Sequence, residues 1–134
     1  RLEPVLGIHW TTPILHDGHL YAFSGRNEPD ALFRCVELKN GRVKWSRDER
    51  WRAYSSKQPN VYGRGSAIMA DGKLFVLGEG GLLGLFEVNA AKPVELGRHQ
   101  VPELHYPCWA APILSDKRMV IRSEDYLICF DVAK

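Results

Sequence analysis

The sequence predicts an all-β fold of repeated four-stranded antiparallel sheets, about three β-propeller blades in one chain, on three observations. Three segments align without gaps: "TPILHDGHLYAF" from Thr12, "SAIMADGKLFVL" from Ser66 and "APILSDKRMVIR" from Ala111. Each reads as an apolar strand, a polar residue, an Asp-centred turn and a second apolar strand. The equivalent aspartates, Asp17, Asp71 and Asp116, lie 54 and 45 residues apart. Repeats of roughly 40–50 residues made of strands are the signature of propeller blades. A third strand then follows each hairpin, "ALFRCVEL", "LLGLFEV" and "YLICFDV", with an acidic residue near its end at Glu37, Glu87 and Asp131.

Taken in order, the opening segment "EPVLGI" reads as the fourth strand of a preceding blade, within residues 1–10. The first blade occupies 11–46. Asp17-Gly18 is its hairpin signal, because a type I′ turn needs positive φ at both central residues, and "RVKWS" around Trp45 is its fourth strand. "RDERWR", Arg47 to Arg52, is a solvated connection that lengthens this repeat. The second blade, 65–101, repeats the pattern with Asp71-Gly72 and ends in "PVELGRH" around Glu95. The last blade, 109–134, stops at Lys134 before its fourth strand. Its Lys117 replaces the turn glycine, so that turn is expected to be of another type or strained. The whole is a single partial propeller domain. Partial blades leave sheet faces and edges open, so the chain is expected to be a carboxyl-terminal portion of a longer propeller or to assemble from several copies.

The hairpin "LHDGHLY" carries two histidines that invite a metal-site reading. Across the copies His16 corresponds to Ala70 and Ser115, and His19 to Lys73 and Arg118. A position that takes His, Lys and Arg is a solvated turn flank, and the other copies supply no further ligands. No metal site is expected.

Composition narrows the function classes. Hydrophobic residues are 45% and charged residues 25% of the 134, as in ordinary globular domains. The 18 basic and 16 acidic residues leave a net charge of +2, too little to imply a nucleic-acid partner. No apolar run is long enough for a membrane span. The chain begins at Arg1, which is expected of a processed chain or a piece of something longer. Three cysteines, Cys35, Cys108 and Cys129, leave at least one outside any intramolecular disulfide. Cys35 and Cys129 hold equivalent third-strand positions and read as core, whereas Cys108 is expected to be exposed.

"CVELKNGRVKW", Cys35 to Trp45, resembles the tryptophan-docking motif of quinoprotein-type propellers, in which a small residue, an acid, Thr-Gly, a basic residue and a Trp recur in each blade. Glu37, Gly41, Arg42 and Trp45 fit, with Asn40 in place of the threonine and Cys35 in place of the alanine. "LFEVNAAKPVE" keeps Glu87 and Lys92 without the Gly and Trp, and "CFDVAK" keeps Asp131. The resemblance covers nearly the whole chain and implies the last blades of a PQQ-like (pyrroloquinoline-quinone type) β-propeller, bacterial and periplasmic or otherwise extracytoplasmic. It makes Glu37, Gly41, Trp45, Glu87 and Asp131 blade-docking residues. A Trp can fill the space between blades and bond a neighbouring carbonyl, and the glycine serves a turn with positive φ. PQQ and calcium are implied by this resemblance alone. The sequence shows no carboxylate and amide set for calcium, and no adjacent cysteine pair.

Other chemistry is not spelled out. "GEGGLLG", Gly78 to Gly84, lacks the spacing and following helix of a dinucleotide loop and reads as the second turn of blade two. The five histidines assemble no nucleophile triad, so no catalytic residue is assigned. Propellers bind at the channel mouth, on loops leading into each innermost strand, here "IHWTT", "VYGRG" and "PCWAA". These place His9, Trp10, Tyr62, Arg64, Cys108 and Trp109 near one rim, a set suited to a protein contact or a planar carboxylate-bearing ligand. The sequence therefore points to a non-catalytic interaction or ligand-binding scaffold, with a protein partner or further blades. The alternative is a fragment of a PQQ-dependent dehydrogenase.

Overall fold

A computed structural model describes residues 5–26, 30–51 and 61–132 of the chain; Glu3 and Pro4 of the opening segment and Arg52 lie outside them. Among the described residues eleven strands make three antiparallel sheets. The first runs β1 (Ile14–His16), β2 (His19–Ser24), β3 (Leu32–Glu37), β4 (Arg42–Asp48). The second runs β5 (Ser66–Ala70), β6 (Lys73–Leu77), β7 (Leu82–Glu87), β8 (Glu95–Gln100), and the third β9 (Ile113–Ser115), β10 (Arg118–Arg122), β11 (Leu127–Asp131). Each strand pairs with its sequence neighbour, so every sheet is an up-and-down meander. The architecture is all-β, three partial-propeller blades.

The turns explain the first pairing of each sheet. Asp17 and Gly18 have φ of 52° and 74°, and Asp71 and Gly72 have 52° and 69°, the left-handed values a two-residue type I′ hairpin requires. "LHDGHLY" is thus a hairpin with His16 opposite His19. The third turn is not of another type. Asp116 and Lys117 keep φ of 49° and 63°, so a lysine holds the left-handed position and the turn carries the strain instead.

Residues 5–10 form no strand among the described residues. They run along the end of the first sheet, where Gly25 N donates to Gly7 O at 2.9 Å and Gly7 N donates to Ser24 Oγ at 2.8 Å. A strand needs a ladder partner, and here only isolated bonds hold the segment.

Side-chain alternation splits each sheet into two faces. In the first sheet Tyr21, Phe23, Phe33, Cys35 and Trp45 point towards the second, meeting Leu74, Val76, Leu82 and Phe86. Phe33 stacks on Phe23 with centroids 4.5 Å apart and meets Trp45 and Phe86 edge-on at 5.2 and 5.3 Å, geometries aromatic pairs favour. The other face of the second sheet buries Leu77 with Val101, Leu104, Cys108, Met119 and Ile121 against the third. Bulges at Cys35/Val36 and Leu85/Phe86 recur at equivalent places in the first two blades and increase the twist of their fourth strands.

Candidate functional site

The blade junction comes first, because it fixes the rim. Trp45, on β4, is buried and its Nε1–H donates to Asn89 O in the second blade at 2.8 Å. Asn89 is held for this by its own side chain, whose Oδ1 accepts from Ala91 N at 2.9 Å. That asparagine cap stands where the first blade uses Asn40 and Gly41. There Asn40 Nδ2 donates to Glu37 Oε2 and Arg42 N donates to Asn40 Oδ1, both at 2.8 Å, with Gly41 at φ 72°. Glu87 and Asp131 are exposed at the ends of β7 and β11.

Outward of the aromatic core lies a network of charges. Arg47 bridges Glu49 at 3.1 Å and Glu95 at 3.0 Å, and Arg98 also holds Glu95. Tyr62 joins it, its hydroxyl donating to Glu95 Oε1 at 2.9 Å and its N–H to Glu49 Oε2 at 3.0 Å. Arg47 and Arg98 lie over the rings of Phe86 and Tyr62. Burial works against the Glu95 charge, but hydrogen bonds from Arg98, Arg47 and Tyr62 outweigh it and hold the carboxyl at about 2. At fully buried Glu49 burial dominates and pushes the carboxyl up, against the pull of Tyr62 N–H and Arg47. Tyr62 therefore faces the junction, not the channel rim. Gly84 makes room for it, since a Cβ there would overlap Tyr62 Oη.

The rim itself is organised by Glu79, a residue that the sequence pattern does not single out. It sits in the β6–β7 turn within "GEGGLLG" and is 2% exposed. Its carboxylate accepts from Arg64 N at 2.6 Å, Arg64 Nη2 at 3.2 Å and Trp109 Nε1 at 3.3 Å. Its main chain bonds Tyr62 O and Cys108 N. One carboxylate thus ties the segments leading into blades two and three. Arg64 reaches on to the first blade through Arg26 O at 3.2 Å and lies 4.7 Å over Trp10.

Around this pair runs a row of rings. His9 meets Trp10 at 4.9 Å, Trp10 meets Trp109 at 5.2 Å, Trp109 meets Tyr106 at 5.8 Å and Tyr106 meets Trp51 at 5.5 Å. Trp109 and Tyr106 are 44% and 45% exposed. The indole N–H groups turn inward: that of Trp109 is bound by Glu79, while those of Trp10 and Trp51 are buried without an acceptor. Of the six rim candidates, His9, Trp10 and Trp109 come together with accessible surface and Arg64 lies beneath them. Cys108 is 1% exposed, correcting its expected exposure; its thiol donates to His105 O at 3.1 Å, and burial, with Glu79, pushes it up to about 11. Cys129, expected in the core, is exposed.

The residues described here do not fit a quinone and calcium. The depression beside Trp10 and Arg64 holds about 10 Å³ of water-sized space, room for about one water. The guanidinium a carboxylate-bearing quinone would seek is already taken by Glu79. Among the described residues no three His, Cys, Asp or Glu side chains gather as metal ligands, and no helix is long and apolar enough to cross a membrane.

No protein-family model matches the chain, and no curated protein matches it. Solved structures do. A europium-containing methanol dehydrogenase superposes with a TM-score of 0.56 at 16% identity, covering 90% of this chain and 22% of its own. The quinohemoprotein alcohol dehydrogenase from Comamonas testosteroni gives 0.60 at 18% identity, covering 96% of this chain and 20% of its own. The chain thus spans about a fifth of the length of these two proteins. Meandering sheets, a tryptophan bonded from one blade to the next and this likeness together identify the fold as that of quinoprotein-type β-propeller blades.

Proposed function

We propose that the chain is a non-catalytic section of a longer PQQ-like propeller, with blades at 11–46, 65–101 and 109–134 and a preceding blade finishing in 1–10, and that its rim serves as an interaction scaffold. The observation that carries this reading is the closed Arg64–Glu79 pair. Its charges are spent on each other and on the backbone, which leaves the exposed rings of Trp109 and Tyr106, with His9, as the surface on offer. Exposed Trp and Tyr over a buried, neutralised ion pair suit a protein contact, where such residues anchor binding. The exported setting that the fold resemblance implies belongs to the same reading.

Titration with PQQ and Ca²⁺, read by tryptophan fluorescence, tests it against the dehydrogenase alternative. No saturable quenching is expected. Saturable quenching at micromolar PQQ that is lost in Trp109→Ala would replace the scaffold with a quinone site at this rim.

A further inference from the structure

The third sheet repeats the first position by position, and the match exposes a surface. Pairing sets Ile14, Tyr21 and Cys35 abreast in the first sheet, and Ile113, Val120 and Cys129 abreast in the third. The next row is Phe23 beside Phe33 in the first sheet and Arg122 beside Leu127 in the third. In the first sheet this face is core: Tyr21 and Phe23 are 2% exposed, Phe33 and Cys35 0%. In the third, Ile113 is 62% and Leu127 73% exposed, and Cys129 and Arg122 lie open beside them. Twice along the chain the same face is buried against the opposite face of the following sheet.

We propose that this face of the third sheet docks a further four-stranded blade of the same polypeptide, one that sets a carboxylate against Arg122. The inference rests on the reading of the chain as part of a longer propeller and adds the face and the chemistry of the neighbour. Phe23 occupies the Arg122 position in the first blade and Leu77 in the second, and both are buried. A neighbour covering the same site surrounds a guanidinium, and a buried cation needs an anion. A second copy of this chain fits less well. The opposite face of its first sheet is already covered at Ala22 and Val36, each 3% exposed, it carries Arg34, another cation, and Asp48 at its end is held by Arg50.

Cys129 reports on the contact. The measurement is the rate of thiol labelling at each cysteine in the native protein that contains this chain, read by mass spectrometry. Cys129 is expected to label as slowly as the buried Cys35 and Cys108. Arg122→Glu is expected to raise its rate at least tenfold, whereas Arg118→Glu, at the far end of the same strand, leaves it unchanged. Labelling of Cys129 at the rate of a free thiol overturns the proposal, and so does protection that fades on dilution, which would mean a second copy. Protection that Arg122→Glu leaves intact removes the carboxylate. The quinone titration above reads a different surface, so either result can fail without the other.

Discussion

Trp45 gives its indole N–H to the carbonyl of Asn89 across 2.8 Å, and the two residues belong to different blades. The bond joins the first blade, which keeps the Gly and Trp of the motif, to a turn in the second that has lost both. Trp45→Phe keeps most of the ring and orphans the carbonyl, so it is expected to cost about 1–3 kcal/mol. Trp45→Ala also opens a cavity against Tyr21 and Phe33 and is expected to cost about 3–5 kcal/mol. Urea unfolding of the two variants checks the order.

Stability is expected to fall in acid through Glu95. Its folded carboxyl, at about 2, lies below the ordinary glutamate value of about 4.3. The stabilisation is therefore fully present above the ordinary value and is lost as pH falls from there towards 2. Glu49 works in the opposite sense: its raised carboxyl contributes stability below the ordinary value, lost as pH rises through the folded one. Unfolding free energy measured from pH 6 to pH 2 should drop by about 2 kcal/mol on account of Glu95, and Glu95→Gln should flatten that slope. An unchanged slope in the variant would assign the acid sensitivity elsewhere.

Lys117 sits at φ 63° where the other two hairpins have glycine. A left-handed side-chain residue costs roughly 1–2 kcal/mol, and glycine gives back about 0.5–1 kcal/mol through the unfolded chain. Lys117→Gly is expected to stabilise the protein by about 0.5–1 kcal/mol, seen as a higher urea midpoint at unchanged slope. Gly72→Lys, the reverse exchange in blade two, should lower it.

Glu79→Gln removes the carboxylate charge that Arg64 Nη2 meets at 3.2 Å, and breaking a buried ion pair typically costs about 3–5 kcal/mol. The same change loosens the Trp109 indole, so its fluorescence should shift to the red and become easier to quench with acrylamide. A stable variant with unaltered emission would show that Glu79 does not organise the rim.

The strands were legible because each depends on local signals: Asp17-Gly18 and Asp71-Gly72 dictate φ, and two-residue alternation dictates the faces. Lys117 misled for an equally physical reason, since the pairing of β9 with β10, Ser115 opposite Arg118, leaves a two-residue turn that its own residue disfavours. The rim was half legible. His9, Trp10 and Trp109 meet because equivalent loops end at the same height in successive blades. Tyr62 lies in the same loop two residues before Arg64, the equivalent of Trp10 and Trp109, and points away because the missing side chain of Gly84 opens a slot towards Glu95. Glu79 gave no signal, as its partners come from two other segments and its own neighbours are glycines. Cys108 and Cys129 exchange their expected exposures because the segment before β9 tucks Cys108 into the core between the second and third sheets, whereas Cys129 lies on the face of the third sheet that no described sheet covers.

The three Asp-centred hairpin tips lie at the opposite ends of their strands from the Glu79 rim, and they are exposed. The molecule is therefore chemically two-ended. At one end a single carboxylate, that of Glu79, holds Arg64 and Trp109 from the segments leading into two blades. At the other, His, Lys and Arg replace one another freely and only the backbone twist is under constraint. Divergence should accumulate at the tips and stall at the rim, and a label or a short insertion placed at Asp71-Gly72 would ride on the fold without touching the Glu79 end.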